Sequence, residues 1–239
     1  MVNLEKALII LEDNKLNNIN AINFIKAYKV YGAAFEASSL LIYGKSDELW
    51  AYVCAETEEQ LSRLMEKNHT KLQYFAVVED WMLPILSKDK DIDWVLKCEK
   101  LVLPEIIHIN SSVYEYEPLR QEDAEYIFNK SKYKQYTSIE FIKERIKKGI
   151  SLCRRENGEP IAWIMTQDDG AIGFLNVVEE YRRKGYAKDI LLAMLYKLRA
   201  DGTIAFAHIE DTNIASMNLA LSLGFQRYKT VNWIKLKNI

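Results

Sequence analysis

Apolar residues recur at helical spacing over residues 4 to 11 and again at Ile22, Ile25 and Tyr28. This predicts two helices, the second over 21 to 31 and closed by Gly32. Ser39 to Tyr43 and Glu48 to Cys54 flank Gly44-Lys-Ser-Asp47, the punctuation of a hairpin. Thr57-Glu-Glu-Gln60 has the form of a capping box ahead of Leu61, Leu64 and Met65, so a helix starts there. Strands are expected over 71 to 78 and 97 to 103, with Pro104 closing the segment.

Residues 104 to 112 lack a helical period and precede a fresh start, which places a domain boundary near residue 110. Beyond it, Ser112 to Pro118 alternates as a strand, and Gln121 to Asn129 is helical. Thr137-Ser-Ile-Glu140 reads as a second capping box, before a helix with Phe141, Ile142 and Ile146 on its apolar side. Glu156-Asn-Gly-Glu159 and Asp168-Asp-Gly170 are turn signals separating strands at 150 to 155, 160 to 167 and 171 to 178. Lys184 to Ala200 carries Ile190, Leu191, Met194, Leu195 and Leu198 as a helical stripe, with Gly202 after its end. A strand at 203 to 209, a helix at 213 to 223 and a strand at 225 to 236 complete the chain. The fold class is α/β (α+β): two domains, 1 to 110 and 111 to 239, each a mixed twisted sheet flanked by helices.

Composition narrows the chemistry. The 239 residues are 49% hydrophobic and 28% charged, enough to bury a core in each domain. The net charge of −2 gives no excess that would hold the chain on nucleic acid or an anionic membrane. The longest apolar run, Ile190 to Tyr196, falls far short of the ~20 residues that span a bilayer, and the amino terminus is charged from its first residues, so the reading is cytoplasmic. Cys54, Cys98 and Cys153 are widely spaced and read as reduced thiols, and His69, His108 and His208 have no paired ligand spacing, so no metal is expected. Gly44-Lys45-Ser46 lacks the earlier glycine of a P-loop, since the position is Ser39.

The informative segment runs from Phe174 to Lys188, an apolar strand, a short basic loop and a helix start. A helix start presents unpaired N–H groups and a partial positive charge, and a glycine there allows close backbone approach. Arg182, Arg183, Lys184 and Lys188 cluster around Gly185, where cations oppose the macrodipole unless an anion is present. The bland alternative is a solvated basic first turn. A diphosphate is the ligand that these features suit best.

Arg182-x-x-Gly185-x-Ala187 after an apolar strand resembles the acyl-CoA pyrophosphate loop of the GNAT N-acyltransferases. Glu117-Pro-Leu-Arg-Gln-Glu-Asp-Ala124 is similar to that family's opening strand-to-helix junction, and Asn213 with Leu223-Gly224-Phe225 to its last helix and turn. The run Gly158 to Trp163, Asp169-Gly170 and Glu180 to Arg182 resembles the glycine N-acyltransferase branch, in which a degenerate, cofactor-free GNAT-like half precedes the active one. The resemblance implies tandem GNAT-like domains, with acetyl-CoA or another acyl-CoA as co-substrate of the second and a small amine or amino acid as acceptor. It implies a monomer or homodimer with no nucleic-acid or membrane partner. On the residues, it places Leu175, Asn176 and Val177 against the pantetheine arm, and Arg182, Arg183, Lys184, Gly185, Tyr186, Ala187 and Lys188 on the pyrophosphate loop. Asn213 falls on an asparagine that meets the cofactor arm.

The sequence departs from the family where protons are handled: the leaving-group tyrosine falls on Ala220 and the branch's acidic residue on Ala171. The substitutes on neighbouring elements are His208, Glu210 and Tyr228, with Ser216 behind them. His208 alternates with Ile204 and Phe206, which fits a packed imidazole at the core edge as well as a catalytic one. The expected reaction is direct transfer of an acetyl or other short acyl group to a primary amine in a ternary complex. The competing expectation is an acyl-CoA sensor without turnover.

Overall fold

The computed structural model describes residues 2–68 and 71–237; the expectations that touch His69 and Thr70 lie outside the described residues. By contacts the chain divides into two units: residues 1–99 with 210–212 and 229–239, and residues 100–209 with 213–228. Residues 100–110, placed with the first half on the sequence pattern, cluster with the second unit, and the end of the chain clusters with the first.

In the first unit, α1 (Leu4–Asp13) and α2 (Lys15–Ala27) are separated by Asn14, whose Oδ1 accepts from Asn17 N and caps α2. The expected helix to residue 31 stops at Ala27 instead. Val30–Glu36 is strand β1, antiparallel to β2 (Ser39–Lys45), with Gly32 inside the strand. The helical spacing ends at Tyr28, after which pairing with β2 decides; a Cβ at Gly32 would lie 2.2 Å from the Tyr43 hydroxyl. Next come β3 (Leu49–Cys54), α3 (Glu58–Glu66), β4 (Tyr74–Val78), the single turn α4 (Leu83–Leu86) and β5 (Ile92–Val102). Thr57 Oγ1 caps α3 by accepting from Gln60 N, as its sequence predicts. The strand β5 starts five residues earlier than expected, on an alternation of half-buried Ile92, Trp94 and Leu96 with exposed neighbours. Alternation along β2 sends Leu40 and Ile42 against α2 and Leu41 against α3, giving the sheet a core on each face.

The second unit contains α5 (Asp123–Lys130), α6 (Ile139–Lys148), β6 (Ser151–Glu156), β7 (Glu159–Thr166), β8 (Ile172–Val177), α7 (Tyr186–Ala200), β9 (Phe206–Ile209) and α8 (Ile214–Ser222), and β10 (Gln226–Leu236) begins in it. The expected strand over 112 to 118 reduces to one bridge, Glu117↔Cys153. The capping residue of α6 is Ser138, accepting from Phe141 N, one position later than expected, and Thr137 Oγ1 is buried without a partner. Asn157 and Gly158 both have positive φ, the type I′ turn that joins β6 to β7. The strand order is β9-β8-β7-β6, with β6, β7 and β8 antiparallel and β8 parallel to β9. One face packs on α7 through Leu152, Ala162 and Ile164, and the other on α5 and α6 through Cys153, Trp163 and Met165. Among the described residues no helix is long and apolar enough to cross a membrane.

Candidate functional site

The site begins in β8. Its pairing with β7 slips by one residue between Trp163↔Asn176 and Met165↔Gly173, which is a β-bulge. Phe174 sits in the bulge at φ 53, a left-handed conformation that is strained for a non-glycine residue. Its ring, 6.3 Å from that of Phe141, ties the bulge to α6. On the opposite edge β8 meets β9 at the pair Ile172↔Ala207, at the start of the strand. Gly173 to Asn176, beyond that meeting point, are half-buried.

From Val177 the chain turns through Glu179–Tyr181 into the basic loop. Arg182 Nε donates to Val177 O at 3.0 Å, so this guanidinium fastens the loop to the strand end. Arg183 (φ 60) and Gly185 (φ 87) are both left-handed, which turns the backbone sharply ahead of the helix. Gly185 is the N-cap of α7, and a Cβ there would point into open space. The first-turn amides of this 15-residue helix, Tyr186 to Lys188, have no acceptor within the helix. Lys184 Nζ lies 4.9 Å from the Tyr181 ring. Lys188 lines a groove of about 320 Å³ with His108, Asn110 and Leu192.

Asp189 holds the helix start in place. Its carboxylate accepts from Val113 N, Tyr114 N and the Tyr116 hydroxyl, and it is buried. Desolvation, then the hydrogen bond to Asp189, pushes the Tyr116 phenol well above its ordinary range. The rings of Tyr114 and Tyr186 pack 5.1 Å apart, and the Arg154 guanidinium stacks on both.

The acid–base candidates separate. His208 lies on β9, half-buried, its ring edge-on to Phe206 at 5.6 Å. Burial pushes its imidazole down to about 4, with Asp169 pulling up and Lys100 pulling down. Tyr228 is partly exposed, with Lys100 Nζ 5.5 Å from its ring. Glu210 clusters with the first unit, where after desolvation it helps push the Cys98 thiol up to about 12. Asn213 caps α8 by accepting from Ser216 N, and its Nδ2 contacts the Tyr133 hydroxyl at 3.5 Å. Ala171 and Ala220 are buried, so no acid stands at either position.

Sequence reading missed Phe174 as a bulge, Asp189 as an anchor, and Asp169 and Lys100 as charges beside His208. The sequence marks Asp169 only through its turn and the Asp169-Gly170 motif, and Phe174 only as the start of the apolar strand. Among the described residues there is no group of His, Cys, Asp or Glu able to hold a metal.

Residues 149–234 match the family model of FR47-like proteins. A Drosophila protein solved by a structural genomics consortium is 18% identical, with a TM-score of 0.82 over 99% of this chain and 97% of that one. A GCN5-related N-acetyltransferase from Kribbella flavida is 10% identical, with a TM-score of 0.60 over 94% of this chain and 95% of that one. A tandem GNAT protein from the clavulanic acid biosynthesis pathway is 12% identical, with a TM-score of 0.52 over 93% and 88%. The fold is thus that of these GNAT structures.

Proposed function

We propose that the second unit transfers an acetyl or other short acyl group from CoA to a primary amine. The observation that carries this is the left-handed Gly185 cap at the start of α7, directly downstream of the bulged β8. In this reading the helix start at Gly185 is the cup for the CoA diphosphate, with the amides of Tyr186, Ala187 and Lys188 and the Arg183 side chain as its donors. Leu175, Asn176 and Val177 run from the bulge toward that cup, so an extended pantetheine arm can pair with the strand edge. The bulge re-aims backbone N–H groups near Phe174, which supports their use on the oxyanion that develops at a thioester carbonyl.

An amine held against that carbonyl attacks directly: the C–N bond forms, the C–S bond breaks, and no covalent enzyme intermediate is needed. An amino acid is the acceptor favoured by the glycine N-acyltransferase-like motifs. A second reading, an acyl-CoA sensor without turnover, is favoured by the apolar residues at Ala171 and Ala220.

The first unit is read as cofactor-free. Its β3 and β4 are registered in parallel at three successive pairs, Trp50↔Tyr74, Ala51↔Phe75 and Tyr52↔Ala76, and it has no Arg-x-x-Gly-x-Gly/Ala loop. Calorimetric titration with CoA should give one site per chain, and acetyl-CoA with a panel of primary amines and amino acids should release thiol above background. Two equivalent CoA sites would overturn the assignment of the halves. Tight binding without release across the panel would select the sensor.

A further inference from the structure

Two neighbouring arginines on β6 are held in opposite ways. Arg155 reaches Asp123 through both Nη atoms and Glu117 through Nε, so carboxylates absorb its charge. Arg154 lies over two rings instead: its guanidinium carbon is 4.5 Å from the centre of the Tyr114 ring and 5.3 Å from that of Tyr186. Among the described residues no carboxylate pairs with it. Aromatic faces attract a guanidinium without neutralising it, and a guanidinium does not shed its proton. The strand thus delivers an intact positive charge to the two tyrosines.

Both tyrosines belong to the start of α7. Tyr186 is the first residue of the helix, next to the Gly185 cap, and Tyr114 N donates to the buried carboxylate of Asp189 at 3.1 Å. That carboxylate lies in the first turn, where its charge complements the helix end by itself. A diphosphate at Gly185 would meet it as a like charge, in surroundings too dry to screen the repulsion fully. The partners of Asp189, namely Val113 N, Tyr114 N and the Tyr116 hydroxyl, are neutral donors, and among the described residues it pairs with no cation. Arg154 is a cation packed against both the first residue of the helix and the segment that holds Asp189.

We propose that Arg154 is a positioning residue for the diphosphate of the acyl-CoA: stacked on Tyr114 and Tyr186, its charge offsets that of Asp189 and lets the start of α7 accept a dianion. The inference rests on the acyl-CoA reading above and extends it to a strand outside the loop of residues 182 to 188. Arg154 acts through the two rings and through space and touches no reacting atom. Its contribution therefore lies in affinity for the acyl donor and not in the rate of the chemical step. A lysine can carry charge to the same rings, whereas a glutamine keeps part of the packing without it.

Calorimetry on the full chain tests this with CoA and with dephospho-CoA, which keeps the diphosphate and lacks the 3′-phosphate, each at low and at high salt. Arg154→Gln should weaken both ligands alike, roughly fivefold or more, and flatten the dependence of affinity on salt, while Arg154→Lys should stay close to wild type. Asp189→Asn alone should tighten both ligands, and in the Arg154→Gln background it should recover most of the loss. An arginine that only packs the helix start would leave the salt dependence unchanged and gain nothing from Asp189→Asn, and that result overturns the proposal. A loss confined to CoA also overturns it, by putting Arg154 on the 3′-phosphate. If Arg154→Gln does not fold, Asp189→Asn alone decides: affinity that stays the same or falls removes the opposition on which the proposal stands. Failure of the underlying reading looks different, because then neither ligand binds the wild type, or binding ignores Gly185→Val, and the proposal falls with it. Where Gly185→Val weakens CoA and Arg154→Gln does not, the proposal fails alone.

Discussion

The Asp189 carboxylate accepts the Tyr116 hydroxyl at 2.9 Å across 73 residues of chain, joining the first turn of α7 to the segment that opens the second unit. The same carboxylate receives Val113 N at 2.7 Å and Tyr114 N at 3.1 Å, and it sits where a negative charge complements the helix N-terminus. The relationship links sequence to function through packing, because the helix that it anchors presents the Gly185 cup. Removing the hydroxyl and removing the carboxylate are different experiments. Tyr116→Phe loses one charge-assisted hydrogen bond and should cost about 1 to 2 kcal/mol. Asp189→Ala also leaves two backbone amides without their acceptor and should cost clearly more, about 3 kcal/mol or above. Denaturant midpoints with unchanged slopes check the order, and equal costs would mean that the amides find another acceptor.

Gly185 and Gly158 form a matched pair for testing the cup. Both have positive φ, 87 at Gly185 and 86 at Gly158, and a Cβ at either would meet nothing within 4 Å. Replacing either with Val should strain the backbone and cost about 1 to 2 kcal/mol of stability. Only Gly185→Val should weaken CoA binding, roughly tenfold or more, because only Gly185 stands at the helix start where the diphosphate is placed. Calorimetry on both variants reads this directly. Equal CoA affinity in the two variants would remove the diphosphate from residues 182 to 188.

The second half was legible because its signals are local. Asn157-Gly158 must turn, the stripe from Ile190 to Leu198 must face a core, and Gly185 stands between a strand and a helix. The first half hid β1 because Ile22, Ile25 and Tyr28 keep a helical period right up to the residues that β2 then recruits. Residues 100 to 110 were assigned to the first half because β5 carries no punctuation where it passes from one unit to the other. Lys100 and Asp169 were illegible as neighbours of His208 for the same kind of reason. One lies over a hundred positions from His208 and the other in a turn whose only visible signal was Asp-Gly. Phe174 gave no sign at all, since a bulge in a run of apolar residues leaves the composition unchanged and a left-handed phenylalanine is imposed by the partner strand.

Arg155 and Asp123 give the last prediction. Asp123 opens α5, and its two oxygens receive both Nη atoms of Arg155, while its Oδ2 also accepts from Arg120 N at 2.7 Å. Both side chains are largely buried, at 10% and 6% exposure, and Arg155 Nε also reaches Glu117. Desolvation alone would raise the Asp123 carboxyl, but the hydrogen bonds from Arg155 and from Arg120 N outweigh it and hold the carboxyl below its ordinary range. A depressed folded-state value means that the unfolded chain binds the proton more readily, so the stabilisation is complete above an unfolded pKa of about 3.9 and disappears as pH falls through the folded one. Asp123→Asn, which keeps the shape but removes the charge, should cost about 2 to 4 kcal/mol at pH 7, with Glu117 moderating the loss by remaining on Arg155. The gap between wild type and variant should then narrow steadily below about pH 4, as protonation makes the wild type resemble the variant. Urea unfolding of both proteins at pH 7, 5 and 4, and at the lowest pH where both still fold, measures that gap. A difference that stays constant down the series would show that the loss does not come from the charge of Asp123 on Arg155.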